Sequence, residues 1–318
     1  MKVLVMGVGG QVGSKVAKLA LQHGDTVVGA YRSRPLVHPG IESIPLDKTD
    51  PKAVNDGIGR VRPDVVIDTG ALHNVDYCES HPADALAVNR DGTGFAADAA
   101  FHVGARFVFV STDYVFDGSG HPPYVEGDET HPQSVYARSK LEAEGHVLIP
   151  GRDAVVARPS VIYSWTPMEA AIASTSGKPL NFGSWFVRQL IAGKEVRIVE
   201  DQVATPTLAD DLAGALLALA RSRVRGLFHA AGTTRISRYD FCLKVAGRLD
   251  LPTGLIQPVS TSDLHQVAAR PKDSSLRSDR LRQTVGYAMK DLSASLDIFA
   301  QQAGEDPAFR GTESKSKT

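Results

Sequence analysis

The sequence predicts a doubly wound parallel α/β sheet with a smaller, mainly helical C-terminal lobe. Three observations carry this. Short runs at 3–6, 26–30, 65–68, 106–110 and 154–157 are apolar on both faces, as strands of a parallel sheet covered by helices must be. Helical stretches at 11–23, 51–60, 83–102 and 134–147 alternate with them. A glycine-rich turn joins the first run directly to the first helix, which is where a βαβ unit places its ligand loop.

Beyond residue 160 the pattern loosens. The stretch 164–178 is rich in Ser, Thr and Ala, contains Pro167, and reads as a long excursion. Helical patterns return at 185–192, 208–221, 239–249 and 292–301, with one further strand at 227–230. The expected organisation is a dinucleotide-binding domain over 1–160 with a returning segment near 200–230. A substrate lobe takes 161–200 and 231–302, and 303–318 is a frayed tail.

Composition narrows the function. Lys+Arg number 35 and Asp+Glu 36, a net charge of −1, which disfavours nucleic acid as a partner. Two distant cysteines, Cys78 and Cys242, exclude a disulfide framework and a CxxC metal site. None of the ten histidines forms an HxH or HExxH pair, so no metal site is expected. No apolar run is long enough to span a membrane, and a cytoplasmic protein is expected, with a homodimer as an allowed assembly.

The turn reads Gly7-Val8-Gly9-Gly10-Gln11-Val12-Gly13. Backbone without Cβ lets a pyrophosphate approach amide N–H groups at a helix N-terminus, so Gly7, Gly10, Gln11 and Val12 are cofactor-binding candidates in a Rossmann-type domain. The second strand runs into Arg32-Ser33-Arg34, with no acid before Glu42. A carboxylate there selects NAD and a guanidinium accommodates a 2′-phosphate, so NADP(H) is favoured, through Arg32, with NAD(H) allowed.

Tyr136 and Lys140 lie one turn apart on a predicted helix, so they share a face. An ammonium, with an oxidised nicotinamide ring, favours phenolate and brings a phenol toward working pH. The 106–110 strand ends in Ser111-Thr112-Asp113-Tyr114-Val115-Phe116-Asp117-Gly118, at the sheet edge where ligands bind. A hydroxyl there can hydrogen-bond a substrate carbonyl while the phenol protonates it.

Together these residues resemble extended short-chain dehydrogenases, and more narrowly the dTDP-4-dehydrorhamnose reductase family. Val75-Asp76-Tyr77-Cys78-Glu79 with Val88-Asn89 is similar to that family's VDxxE…VN segment. Asp201-Gln202-Val203-Ala204-Thr205-Pro206-Thr207 and Arg270-Pro271-Lys272-Asp273-Ser274-Ser275-Leu276 are similar to its DQxxxPT and RPxxSxL. The resemblance implies NAD(P)H-dependent reduction of the C4 ketone of a nucleotide-linked 4-keto-6-deoxy sugar. It implies catalysis by Thr112, Tyr136 and Lys140, and Asp47, Gly70, Ala71 and His73 against the cofactor. Val75, Thr112, Asp113, Tyr114, Asn181, Phe182 and Arg270 would contact the substrate.

The chain departs from the family pattern at Asp68 (commonly Asn), His73 (commonly Thr), Val161 (often aromatic) and Ala204 (commonly Gly). Nucleotide-sugar dehydratases and epimerases share the fold. A dehydratase needs an Asp-Glu pair after the Thr, and here Asp113 is followed by Tyr114. A non-catalytic subunit resembling the β subunit of methionine adenosyltransferase is the other alternative, and the intact Thr112, Tyr136 and Lys140 argue against it. Trp165, Trp185 and Phe186 are open between core and sugar platform.

Overall fold

A computed structural model describes residues 1–166 and 181–309. β1 (Lys2–Met6) turns through the glycine loop into α1 (Gln11–Gln22), followed by β2 (Thr26–Tyr31) and β3 (Ile41–Pro45). α2 (Pro51–Val61) leads to β4 (Val65–Asp68), then come α3 (Val75–Ser80), α4 (Pro82–Ala85), a π-helical turn over Leu86–Asp91, and α5 (Gly92–His102). β5 (Arg106–Val110), α6 (Val135–Val147) and β6 (Ala154–Arg158) complete the first half. Next are β7 (Ile162–Tyr163), α7 (Phe182–Ile191), β8 (Val196–Val199), β9 (Val203–Ala204), β10 (Thr207–Leu208), α8 (Ala209–Arg221) and β11 (Gly226–His229). β12 (Ile236–Ser237), α9 (Arg238–Arg248), β13 (Ile256–Val259), α10 (Asp279–Val285) and α11 (Leu292–Glu305) follow.

Seven parallel strands form the sheet in the order β11-β6-β5-β4-β1-β2-β3. Alternation along β1 feeds both faces. Val3 and Val5 pack under α1 and α8, while Leu4 and Met6 pack under α2 and α5. The strand order reverses between β1 and β4, which opens a crevice beyond their carboxyl ends. Local chemistry sets the helix starts. Asp50 accepts the Lys52 and Ala53 N–H groups ahead of Pro51, and Ser134 accepts the Ala137 N–H to begin α6.

The second lobe has its own core, built from α7, α9, α11 and the parallel β8–β13 pair around Tyr163, Phe186, Phe241 and Phe299. Several elements differ from expectation. β3 was absent from the strand pattern because it is an edge strand that alternates buried and exposed positions. The single helix expected over 83–102 is interrupted by the π-helical turn. The first residues of the expected 303–318 tail are folded: α11 continues to Glu305, and Phe309 is buried with its ring 5.3 Å from that of Trp165, while 310–318 lie outside the described residues. Most of the expected 164–178 excursion, from residue 167 onward, lies outside the described residues.

Candidate active site

A cleft of about 1190 Å³ runs along the carboxyl ends of the central strands, between sheet and second lobe. The glycine loop forms its floor. Gly7 has φ +74°, and a Cβ there would stand 2.8 Å from the Gly70 Cα, so the β1 and β4 turns touch backbone to backbone. No side chain caps α1 and its first turn holds no acid, which leaves an amide-rich helix end suited to an anionic group. That cradle fits the pyrophosphate of a dinucleotide. Gly7, Gly10, Gln11 and Val12 all line the cleft, and so do Arg32 and Arg34 beyond β2.

Asp47 follows β3 at the cleft wall, with Oδ1 accepting the Thr49 N–H at 2.9 Å and hydroxyl at 2.7 Å. Gly70, Ala71 and His73 stand beyond β4, and Val75 opens α3. Asp68, where the family commonly has Asn, is fully buried and pairs with Lys48 at 2.6 Å. The substituted position is compensated within the chain.

Thr112 ends the β5 edge and caps a short turn, accepting the Tyr114 N–H at 3.2 Å. α6 brings Tyr136 and Lys140 to the same cleft, and the rings of Tyr114 and Tyr136 meet edge to face at 6.3 Å. Lys140 is buried, with Nζ donating to the Val110 carbonyl at 2.7 Å and lying 4.0 Å from the Phe109 ring centre. Burial, with a smaller push from the Lys48 charge, lowers its pKa to about 7, against the opposing pull of Asp68 and Glu144. The Tyr136 pKa moves the other way from that expected. Burial raises it above the ordinary phenol value, against an opposing contact from the Thr112 side chain, so the proton stays on at neutral pH. A protonated phenol is the form that can donate to a ketone oxygen.

Three expected substrate contacts make bonds within the chain, and of these Asp113 and Arg270 line the cleft. Asn181 does not line the cleft; it is buried, caps α7 through the Ser184 N–H, and donates to Ser164 Oγ at 2.9 Å. Asp113 carboxylate accepts from Ser160 at 2.8 Å and Ser274 at 2.6 Å, and burial raises its pKa. Arg270 binds Asp76 at 2.5 Å and the Ala268 carbonyl, also at 2.5 Å. Buried polar groups must be paired; the Asp113–Ser274 and Arg270–Asp76 pairs fasten the second lobe to the sheet domain, and the Asn181 bonds lie within that lobe. Asn181→Ala is expected to lower stability by about 2 kcal/mol through the lost cap and hydrogen bonds, with substrate KM unchanged. Thermal unfolding alongside initial-rate kinetics checks both halves.

The residues fit a reductase site, and comparison with known proteins places it. Residues 1–304 match the family described as RmlD substrate binding domain. The chain belongs to this family. A dTDP-4-dehydrorhamnose reductase of Mycobacterium tuberculosis is 38% identical over 283 residues, 87% of this chain and 85% of that protein. The crystal structure of dTDP-4-dehydrorhamnose reductase from Bacillus anthracis in complex with NADP superposes with a TM-score of 0.79 at 26% identity. It covers 95% of this chain and 99% of that one. The β subunit of methionine adenosyltransferase 2 from Bos taurus is 30% identical, over 91% of this chain and 84% of that protein.

In this RmlD-family chain the second lobe adds Arg197 and Arg238, which sequence reasoning passed over, beside Gln202 of the DQxxxPT-like stretch. Of the three aromatics left open between core and platform, Trp185 lines the cleft, while Trp165 and Phe186 are core. Arg238 donates to the Tyr114 hydroxyl at 3.1 Å. It opens α9, where a cation is poorly placed against the helix dipole, and that was the available signal. Among the described residues no cluster of His, Cys, Asp and Glu suits a metal, and no helix is long and apolar enough to cross a membrane.

Proposed function

We propose that the chain is an NAD(P)H-dependent reductase acting on the C4 ketone of a nucleotide-linked 4-keto-6-deoxy sugar, with NADPH favoured. The observation that carries this is the convergence of Thr112, Tyr136 and Lys140 on one cleft with the glycine loop. The relatives named as dTDP-4-dehydrorhamnose reductases support the substrate class, and the NADP complex among them supports the cofactor. Gly10, Gln11 and Val12 hold the dinucleotide pyrophosphate, and Arg32 its 2′-phosphate. The bound dinucleotide supplies the hydride.

The chain supplies the proton and the geometry. The Thr112 hydroxyl hydrogen-bonds the ketone oxygen, and the Tyr136 phenol gives that oxygen its proton. Lys140 holds the nicotinamide ribose and supplies the positive field that steadies Tyr136 as its proton leaves. Tyr114, where a dehydratase needs its second carboxylate, is instead an acceptor for Arg238.

The deciding experiment follows loss of NADPH absorbance with freshly generated dTDP-4-keto-6-deoxy sugar, repeated with NADH. Oxidation that prefers NADPH is expected. Tight NADPH binding with no oxidation would reject this substrate, and would favour another keto substrate or a regulatory role of the kind the methionine adenosyltransferase β subunit suggests. Replacing both Arg32 and Arg34 with Ala is expected to raise the NADPH Kd about tenfold, through lost charge-assisted bonds to the 2′-phosphate, and to leave the NADH Kd unchanged. Parallel fluorescence titrations with the two nucleotides measure it.

A further inference from the structure

Ala71 stands in the cleft wall between two residues whose backbone is tied down by side chains. The Gly70 N–H donates to Asp68 Oδ1 at 3.0 Å, and the Gly70 carbonyl accepts from Lys48 Nζ at 2.9 Å. On the other side the Leu72 N–H donates to Asn89 Oδ1 at 2.9 Å, and the Leu72 carbonyl accepts from Asn89 Nδ2 at 3.1 Å. The N–H and carbonyl of Ala71 itself have no hydrogen-bond partner among the described residues. A peptide unit held on both sides is a preorganised recognition element, because little ordering is left to do on binding.

Lys48 is the unexpected member of this clamp. It lies in a polar loop, yet it is 9% exposed. Its ammonium meets Asp68 Oδ2 at 2.6 Å and Thr93 Oγ1 at 3.0 Å besides the Gly70 carbonyl, which uses all three of its N–H groups. Gly92 makes the room: a Cβ there would stand 2.8 Å from the Lys48 carbonyl oxygen and 2.9 Å from its Cγ. A buried ion pair gives little net stability over a well-packed neutral pair of the same shape, so stability alone does not explain this one.

We infer that Lys48, paired with Asp68, is a positioning residue that fixes the 70–72 stretch so that the Ala71 peptide groups meet the dinucleotide. The inference rests on the nicotinamide-dinucleotide reading above. Lys48 lines the cleft, but its ammonium is spent on Asp68, Thr93 and the Gly70 carbonyl, so its role is to hold the backbone that meets the dinucleotide. The same pair also reaches the reacting groups: Lys48 disfavours the Lys140 ammonium and Asp68 favours it.

The test combines NADPH fluorescence titration with thermal unfolding of the full chain. Lys48→Met strands the Asp68 carboxylate and is expected to lower both Tm and NADPH affinity. Adding Asp68→Asn removes the stranded charge and keeps an acceptor for the Gly70 N–H, so Tm recovers. The Gly70 carbonyl still lacks its tether, so the NADPH Kd stays about tenfold above wild type. Recovery of Kd together with Tm overturns the inference, since a merely structural pair behaves that way. Thr93→Val keeps both charges and loosens Lys48; it is expected to raise Kd about threefold, and an unchanged Kd counts against the inference even where the double variant does not fold. A wild-type protein that binds neither NADPH nor NADH overturns the reading beneath, a result distinct from any of these.

Discussion

Tyr136→Phe is expected to lower kcat by 10²- to 10⁴-fold, roughly 3–5 kcal/mol of transition-state stabilisation, with the NADPH Kd within about twofold of wild type. The split follows from what the substitution removes. In the proposed reaction the phenol oxygen is the proton donor, and burial keeps it protonated across neutral pH. The ring keeps its edge-to-face contact with Tyr114 and its seat on α6, so the cofactor wall is unchanged. Single-turnover reduction of the keto sugar and a separate NADPH titration distinguish the two. A variant that retains more than about a tenth of wild-type kcat has lost only about 1.4 kcal/mol, and Tyr136 is then not the essential acid.

Lys140→Met is expected to weaken both binding and turnover, with kcat/KM down on the order of 10³ and the NADPH Kd up about tenfold. The lysine also carries a pH signature in stability. Its folded-state pKa, lowered to about 7, lies below the value in the unfolded chain. Above about pH 7 the unfolded chain therefore holds a proton that the native state has released, and stability rises with pH toward the ordinary lysine range. Below that window the full cost of the buried ammonium is present. The wild-type minus Lys140→Met difference in unfolding free energy should grow between about pH 7 and pH 9, by at most about 1.4 kcal/mol per pH unit. A flat difference in calorimetry across that range shows that Lys140 does not titrate there.

The sheet was legible because its central strands are buried on both faces and its helices carry local cap signals such as Asp50-Pro51 and Ser134. β3 was not, since half its surface faces out, nor was the β8–β13 pair, whose strands are four residues each and pair across a long separation. At the site, Thr112, Tyr136 and Lys140 could be read because backbone spacing alone puts them at one sheet edge. Lys48 could not: its burial depends on Gly92 and Thr93, which lie more than forty residues away, and in sequence it is an ordinary loop cation. Arg270 and Asp113 were expected as substrate ligands; both line the cleft, and the intramolecular partners they hold there were not legible. Sequence shows that a charged residue sits near a site, but not whether its partner comes from the chain or from the ligand.

The chain order of the sheet has a consequence for modularity. β11 pairs with β6, and α8 covers the face of α1, although both follow a long stay in the second lobe. A fragment ending near residue 160 would therefore expose the backbone edge of β6 and the apolar face beneath α8, an invitation to aggregation. Neither lobe can be lifted out as a cassette by a single cut. Exchange of second lobes between relatives must therefore graft discontinuous segments, and changes at the cleft are more readily reached by point substitution than by shuffling whole units.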